Sequence, residues 1–426
     1  MSTSAQTDAL PPGEPGPRDG GPTGTGASPG RRASRAALLG AMFLMATSSI
    51  GPGFITQTTQ FTVQLGAAFA FAILVSIVID IALQLNVWRV IGVSGRRAQE
   101  LANDVAPGLG WVLAGLLLVG GVVFNIGNVA GAGIGTEALA GIDPRWGAAL
   151  SAVLAIGIFL SRWAGWAMDR VVVVLGALML ALTLYVAIVS DPPLASAARN
   201  TIAPEVIEPL AITTLVGGTI GGYIIYAGAH RLIDAGHTGP DQVAAISRTS
   251  VLAIIVTGVM RTLLFLAILG VVVSGADLTG TSQAASAFQA AAGDVGLRLF
   301  GAVFWAAAIS SVVGCSYTTV SFLTSSTRTP ARTRNLLTGG FIGLSLVLFL
   351  VLGKAPTTLL VFAGAFNGTL LPVGIGVMLY VGWFRRDLLH GYDYPKWLLV
   401  IGSIAWLLTL YLAVTSVRPL IDLMTS

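Results

Sequence analysis

The stretch that decides the fold is AALLGAMFLMATSSIGPGFITQTTQFTVQL, residues 36–65. It is long enough to cross the ~30 Å hydrocarbon layer of a bilayer as a helix, yet Gly51-Pro52-Gly53 interrupts it in the middle. Proline lacks the N–H that continues a helix, and glycine favours unwound backbone. Such backbone is tolerated at membrane depth only where it lines a cavity enclosed by protein. The stretch therefore predicts a broken membrane helix beside an internal site.

A second interrupted stretch, residues 212–230, reads ITTLVGGTIGGYIIYAGAH. Its centre holds Gly217, Gly218, Gly221 and Gly222. Close helix packing is the alternative explanation for glycines at this spacing. However, paired breaks at corresponding positions of two halves of a chain indicate a transport site at the membrane midplane. We therefore predict that the two breaks build one substrate site.

The composition of the chain is typical of a membrane protein. Only 10% of its 426 residues are charged and 54% are hydrophobic, far from the balance of a soluble chain. One cysteine and three scattered histidines exclude a disulfide framework and a Cys/His metal cluster. The net charge of +4 comes from arginines between hydrophobic runs, so we predict no nucleic-acid partner. Residues 1–35, rich in Pro, Gly and Ser, predict a disordered cytoplasmic tail.

Hydrophobic runs predict an all-α integral membrane protein with eleven transmembrane helices. The predicted spans are 36–64, 67–88, 110–139, 146–161, 171–190, 210–229, 250–273, 296–323, 336–353, 356–384 and 397–416. With the N-terminus inside, the cytoplasmic segments next to the spans carry sixteen Lys and Arg residues, and the outer segments carry five. This bias predicts a protein of the cell membrane with a cytoplasmic N-terminus and a short outer C-terminal tail, 417–426.

The chain resembles the Nramp family of divalent-metal transporters over residues 36–416. The resemblance rests on the Pro-Gly break, the Gly-Thr-Ile run before the second break, the stretch from Gln84 to Arg96, and Pro372. It implies a LeuT-type fold in one transporter domain, with inverted five-helix repeats at about 36–190 and 210–384. The span 397–416 would then be an extra helix.

The family's ion-binding motifs are altered at the matching positions. Its Asp-Pro-Gly-Asn motif matches residues 51–54, Gly-Pro-Gly-Phe, and its Met-Pro-His motif matches residues 221–223, Gly-Gly-Tyr. The Asp and Glu that the family associates with proton movement match Asn125 and Asn128. A dehydrated divalent cation needs anionic or strongly donating ligands. We therefore predict no metal-binding residues in this chain.

The remaining pocket favours a different kind of substrate. Free amides and half-helix N-termini favour an anionic group, such as the carboxylate of a small organic acid or amino-acid-like solute. Ordinary helix packing is the alternative for each residue of the pocket. The predicted substrate-binding residues are Gly51, Pro52, Gly53, Phe54, Gln57, Gly218, Gly221, Gly222, Tyr223, Asn125, Asn128 and Tyr317.

Two charged residues, Asp80 and Arg261, lie inside predicted spans at similar depths. A charge at the bilayer centre costs about 2.5–3.5 kcal/mol on insertion scales, so each one needs a partner or an aqueous cavity. We predict an Asp80–Arg261 ion pair. It would act as a structural clamp or as a relay that couples transport to protons, or Arg261 would instead face a substrate carboxylate.

The predicted function is secondary transport by alternating access, coupled to a proton or a sodium ion. The alternatives are transport of a divalent cation, as the resemblance implies, and a membrane sensor that does not transport. The sequence has no catalytic constellation and no Walker motif, so we expect neither an enzyme nor an ATP-driven pump, and we predict no cofactor.

Overall fold

The computed structural model of the chain describes residues 38, 42, 45, 49–160, 162–324 and 329–425, and only the backbone of 162–173, 175 and 331. The predicted N-terminal tail, 1–35, lies outside the described residues. So does most of the first predicted span before its break. Within the described part all regular secondary structure is helical, which confirms the predicted all-α class.

Fourteen α-helices follow one another along the described chain. In order they are α1 (Pro52–Leu65), α2 (Phe69–Ser94), α3 (Ala98–Val105), α4 (Leu109–Ala140), α5 (Pro144–Leu160), α6 (Arg162–Val189), α7 (Leu194–Ile202), α8 (Pro209–Ile220), α9 (Ile224–Asp234), α10 (Val243–Val273), α11 (Gln283–Leu323), α12 (Ala331–Leu352), α13 (Pro356–Phe384) and α14 (Lys396–Thr425). Short 3-10 turns cover Gly66–Ala68, Pro240–Gln242 and Arg386–Leu389.

Eight helical stretches of the described chain are long and apolar enough to cross a membrane. They are Pro52–Ser94, Leu109–Ala140, Pro209–Asp234, Pro240–Val273, Gln283–Leu323, Arg332–Leu352, Pro356–Phe384 and Lys396–Thr425. The end of α6, Gly176–Val189, forms a ninth candidate with α7, bent by 107° between them. The apolar helix α5 is shorter, at 17 residues. The count of eleven spans and the inverted repeat stay predictions.

Several helices extend beyond the hydrophobic runs that predict them. Helix α10 begins at Val243 rather than near 250, and α11 begins at Gln283 rather than near 296. The early part of α11 is set off by non-helical backbone at Ala292 and Gly293. Hydropathy marks only the part of a helix that lies in hydrocarbon, so the sequence-based boundaries miss the polar helical ends.

Helices α4 and α11 pack backbone to backbone and form one wall of the interior. A Cβ added to Gly135 of α4 would lie 2.6 Å from the Cα of Trp305 on α11, and a Cβ on Gly301 would overlap the backbone of Leu139. The hydrophobic effect does not drive helices together inside lipid. Small residues that allow close approach are therefore common where membrane helices contact each other. The polar residues of this wall, described below, are thereby held at defined positions.

Helices α8 and α9 lie at the centre of the protein. Residues across the most apolar window of Pro209–Asp234 are 94% buried, more than in any of the other seven candidate spans of the described chain. A helix that is apolar on all sides is expected to be surrounded by protein. The break between α8 and α9 is therefore enclosed by protein and does not face lipid.

Candidate functional site

The first break lies at Gly51, directly before α1. Gly51 has extended backbone (φ −102°, ψ −172°), and Pro52 is the first residue of α1. Proline is favoured there because the first N–H groups of a helix have no intrahelical acceptor. Beside this break, the Ser49 hydroxyl donates to the carbonyl of Thr219 on α8 at 2.8 Å. The two breaks are therefore joined by a direct hydrogen bond.

The second break spans residues 221–223, between α8 and α9. Gly222 has φ +55°, in the left-handed region that favours glycine. The turn is closed by its own backbone, because the N–H of Gly221 donates to Gly217 and the N–H of Ile224 donates to Gly221, both at 3.1 Å. A Cβ on Gly217 would overlap the backbone of Gly364 on α13, so this glycine serves helix packing.

Buried polar atoms without a hydrogen-bond partner among the described residues collect at the first break. They include both side-chain polar atoms of Asn128 on α4 and the hydroxyl of Ser311 on α11. A Cβ built on Gly51 would lie 2.7 Å from Ser311 Oγ and 3.9 Å from Asn128 Oδ1. Because buried polar groups are normally hydrogen-bonded, these atoms indicate a place where a polar ligand would complete the bonding.

Gln57 connects three helices beside the same site. Its Nε2 donates to the carbonyl of Leu360 on α13 at 3.0 Å, while its Oε1 has no partner in the described part of the chain. Added Cβ atoms on Gly218 of α8 and Gly364 of α13 would both overlap the Gln57 side chain. These two glycines therefore make room for Gln57, and Gln57 Oε1 is a further acceptor at the breaks.

Asn125 and Tyr223 lie close to the breaks but contact different partners. Asn125 Nδ2 donates to the hydroxyls of Ser316 at 3.2 Å and Ser345 at 3.0 Å, which ties α4 to α11 and α12. The ring of Tyr223 packs edge-on against Phe124, with the ring centroids 5.9 Å apart. Asn125 therefore ties the wall together and Tyr223 packs its ring beside the second break, while Asn125 Oδ1 and the Tyr223 hydroxyl have no partner among the described residues.

The structure does not bring Tyr317 to the breaks. Its side chain is 46% exposed, and it lines a separate cavity with His230 and Arg334. The preceding residue, Ser316, is the one that faces inward and contacts Asn125. Adjacent positions on a helix point in directions about 100° apart, and hydropathy alone does not distinguish Ser316 from Tyr317 as the inward-facing residue.

Arg261 and Asp80 are both buried and interact electrostatically, with Thr219 as a shared neighbour. Arg261 Nη1 donates to the Thr219 hydroxyl at 2.9 Å, and its guanidinium carbon lies 4.2 Å from the ring centroid of Phe54. In the described part of the chain, the two charges form no direct ion pair. Arg261 Nε and Nη2 and Asp80 Oδ1 have no hydrogen-bond partner there either.

Sequence reasoning missed Ser311, Thr219 and Asn367. Asn367 Nδ2 donates to the carbonyls of Gly120 at 3.1 Å and Ala363 at 2.9 Å, and a Cβ on Gly222 would overlap its Oδ1. A lone asparagine inside the apolar run VFAGAFNGTLLPV is a signal that could have found Asn367. Ser311 and Thr219 carry no comparable signal, because small hydroxyl residues occur throughout membrane helices.

The side-chain donors and acceptors directly at the first break are neutral amides and hydroxyls. Across the described residues, no group of three or more His, Cys, Asp or Glu side chains could hold a metal ion. The charged pair, Asp80 and Arg261, lies immediately beside the breaks. The arrangement can therefore hold a polar solute through neutral hydrogen bonds, with one guanidinium group and one carboxyl group close by.

Two facing helix breaks inside an all-helical membrane frame define a polytopic membrane transporter of the LeuT-type fold. Comparison with known proteins identifies the family within this class. The chain belongs to the Nramp family, whose model, described as "Natural resistance-associated macrophage protein-like", matches residues 42–418. The family resemblance seen in the sequence is thereby confirmed.

The chain is also similar to bacterial membrane proteins over most of its length. It is 49% identical over 368 residues to the membrane protein YcsG of Bacillus subtilis (strain 168), covering 86% of this chain and 90% of that protein. It is 47% identical over 392 residues to a membrane protein of Haemophilus influenzae (strain ATCC 51907 / DSM 11121 / KW20 / Rd), covering 92% and 98%.

Solved structures show the same fold at low sequence identity. A manganese transporter of Eremococcus coleocola, in complex with an aromatic bis-isothiourea substituted compound, matches with a TM-score of 0.74 and 18% identity, over 92% of this chain and 89% of that chain. MhsT in complex with L-phenylalanine matches with a TM-score of 0.60 and 16% identity, over 91% and 98%. This fold therefore occurs both in a transporter of manganese and in a protein that binds the amino acid L-phenylalanine.

Proposed function

We propose that the chain moves a small cargo across the membrane by alternating access, through the site between its two helix breaks. The observation that carries the proposal is the cluster of buried, unpartnered polar atoms of Asn128 and Ser311 beside Gly51, within the residues described. Discontinuous helices that meet at such a place are typical binding sites of secondary transporters. Helix α1 also directs its unpaired N-terminal amides to this place.

The comparisons favour a divalent metal cation as the cargo over the organic solute expected from the sequence. The Nramp family and the manganese transporter of the same fold support this choice. In this chain the ion would meet neutral oxygens, namely Asn128 Oδ1, Ser311 Oγ and Gln57 Oε1. Since neutral oxygens do not neutralise two positive charges, we expect weaker binding than at a site with carboxylates.

A small organic acid or amino-acid-like solute is the second candidate. Two unpartnered nitrogens of Arg261 and one unpartnered oxygen of Asp80, within the described residues, support this candidate. A guanidinium binds a carboxylate through charge-assisted hydrogen bonds, and a carboxylate can bind an ammonium group in the same way. The fold accommodates such a molecule in MhsT, which was solved with L-phenylalanine.

The decisive experiment is uptake into vesicles that contain the purified chain. Manganese ions would be compared with succinate and a panel of amino acids, under an imposed pH gradient and then a sodium gradient. Saturable manganese uptake would support the first candidate, and saturable uptake of an organic solute would support the second. The gradient that drives uptake would identify the coupling ion. Absence of uptake for every compound, with folded protein in the vesicles, would contradict transport.

The variant Gly51→Val tests whether the cargo uses the proposed site. Its side chain would enter the space beside Ser311 and Asn128, so we expect uptake of the true cargo to be lost. The matched control is Gly343→Ala on α12, where an added Cβ meets nothing within 4 Å in the described structure. Equal uptake by the two variants would place the cargo elsewhere.

A further inference from the structure

A separate cavity of about 220 Å³ lies between the ends of α9 and α11 and the beginning of α12. Its charged lining consists of Arg97, His230, Arg231, Asp234 and Arg334. Hydroxyl residues of α11, among them Thr318 and Ser321, complete the wall. The cavity reaches Ala227, about one helical turn beyond the second break. It is therefore close to the site at the breaks but is built from different residues.

The charges around this cavity are predominantly positive. Arg97 pairs with Asp234, with 3.0 Å between Nη2 and Oδ1. Among the described residues, Arg231 and Arg334 have no carboxylate partner, so two guanidinium groups remain uncompensated. Arg334 Nε is buried and, within the described chain, also has no hydrogen-bond partner. Such a positive, partly enclosed cavity concentrates anions and repels cations.

His230 supplies an independent indication of the ligand's chemistry. It is 5% exposed and lines the cavity. Its Nε2 accepts a hydrogen bond from the N–H of Ala98 at 3.4 Å, so in the neutral ring the proton is on Nδ1. Nδ1 has no partner among the described residues. It is therefore a buried donor that lacks an acceptor, and an anionic oxygen would provide one.

We propose that this cavity is a binding site for a small oxyanion, a carboxylate or a phosphate group, held by Arg231, Arg334 and His230. The planar guanidinium groups match the geometry of both kinds of oxyanion, and the imidazole N–H adds a third donor. The site goes beyond the proposed transport function, because it does not depend on which cargo crosses the membrane. The same chemistry would fit a soluble anion or the phosphate of a lipid headgroup.

The test is binding of inorganic phosphate and of succinate to the full chain in nanodiscs of zwitterionic lipid, measured by calorimetry. We expect saturable binding that weakens as the salt concentration rises. Arg231→Gln and Arg334→Gln should each weaken binding about tenfold or more. The affinity of Arg334→Lys should lie between those of Arg334→Gln and the parent chain, because lysine keeps the charge but loses the planar guanidinium group. The matched control is Arg298→Gln, because Arg298 is exposed and bonds the carbonyl of Leu139 away from the cavity.

Nanodiscs that contain anionic lipid separate the two sources of the anion. In these nanodiscs, a bound headgroup would abolish phosphate binding. Native mass spectrometry would then show anionic lipid bound to the parent chain but not to Arg334→Gln, which would identify a headgroup in the same site. No binding in either lipid, or binding that both glutamine variants retain while folded, would overturn the proposal. Vesicle uptake, measured in parallel, keeps this result separate from the transport proposal, since anion binding and cargo uptake can fail independently.

Discussion

The two helix breaks differ in what surrounds them. At Gly51 the neighbours are polar atoms of Asn128 and Ser311 that have no partner in the described chain. At residues 221–223 the backbone closes on itself, and the adjacent Asn367 donates two hydrogen bonds to backbone carbonyls. The first break therefore has more unpartnered polar atoms around it than the second, where only the Tyr223 hydroxyl and Asn367 Oδ1 lack a partner among the described residues and the turn is held by its own backbone bonds. A matched pair of breaks in the sequence thus has two different roles.

The largest expected effect concerns Arg261, which lies between the two breaks. Arg261→Gln would remove the charged hydrogen bond to Thr219, worth about 1.5–3 kcal/mol, and would leave Asp80 buried without its neighbouring cation. We expect a correspondingly lower stability against thermal and denaturant unfolding. The double variant Asp80→Asn/Arg261→Gln should recover part of the loss. If the single and double variants were equally stable, the two charges would not support each other.

The next effect distinguishes the two asparagines at the breaks. Asn367→Ala removes hydrogen bonds to the carbonyls of Gly120 and Ala363, at about 1 kcal/mol each, so we expect stability to fall by about 1–3 kcal/mol. The unfolding midpoint in detergent is the measurement. A midpoint equal to that of the parent chain would mean that the second break does not rely on these bonds.

Asn128→Ala should behave in the opposite way. Because both polar atoms of Asn128 lack partners in the described structure, its removal should leave the unfolding midpoint unchanged or slightly raised. Uptake of the cargo should fall roughly three- to tenfold, the value of one lost hydrogen bond to a bound solute. A large loss of stability with normal uptake would reverse the roles assigned to the two breaks.

The smallest effect is expected at the surface, at the pair Arg385–Asp387 after α13. The hydrogen bond from Arg385 holds the pKa of Asp387 below its usual value. The contribution of the Arg385–Asp387 interaction to stability is thus present at neutral pH and is lost as the pH falls through the lowered pKa of Asp387. Because Asp387 is exposed and Arg385 is partly exposed, the pair contributes little, and Asp387→Asn should leave the unfolding midpoint unchanged between pH 7 and pH 4. A pH-dependent difference from the parent chain would show that this pair is coupled to the interior.

Much of the fold could be predicted because its signals are local. The length of the apolar runs predicts the membrane helices, proline with glycine places the break at Gly51, and a glycine cluster places the break at Gly221 and Gly222. The site could be predicted less well. Residues on the broken helices, such as Gln57, lie beside the breaks as predicted from their position in the sequence. Tyr317 on α11, in contrast, faces another cavity. The orientation of the termini stays a prediction.

The sequence by itself determined that this chain is a membrane protein with two interrupted helices, because backbone chemistry and hydrophobicity act within one segment. Only the tertiary structure decided that Ser311 faces Gly51, that Thr219 contacts Arg261 near Asp80, and that Arg231 and Arg334 share a cavity. The physical reason is that apolar residues cover nearly every face of a membrane helix. Its rotation is therefore set by close packing against neighbouring helices, which no single segment contains.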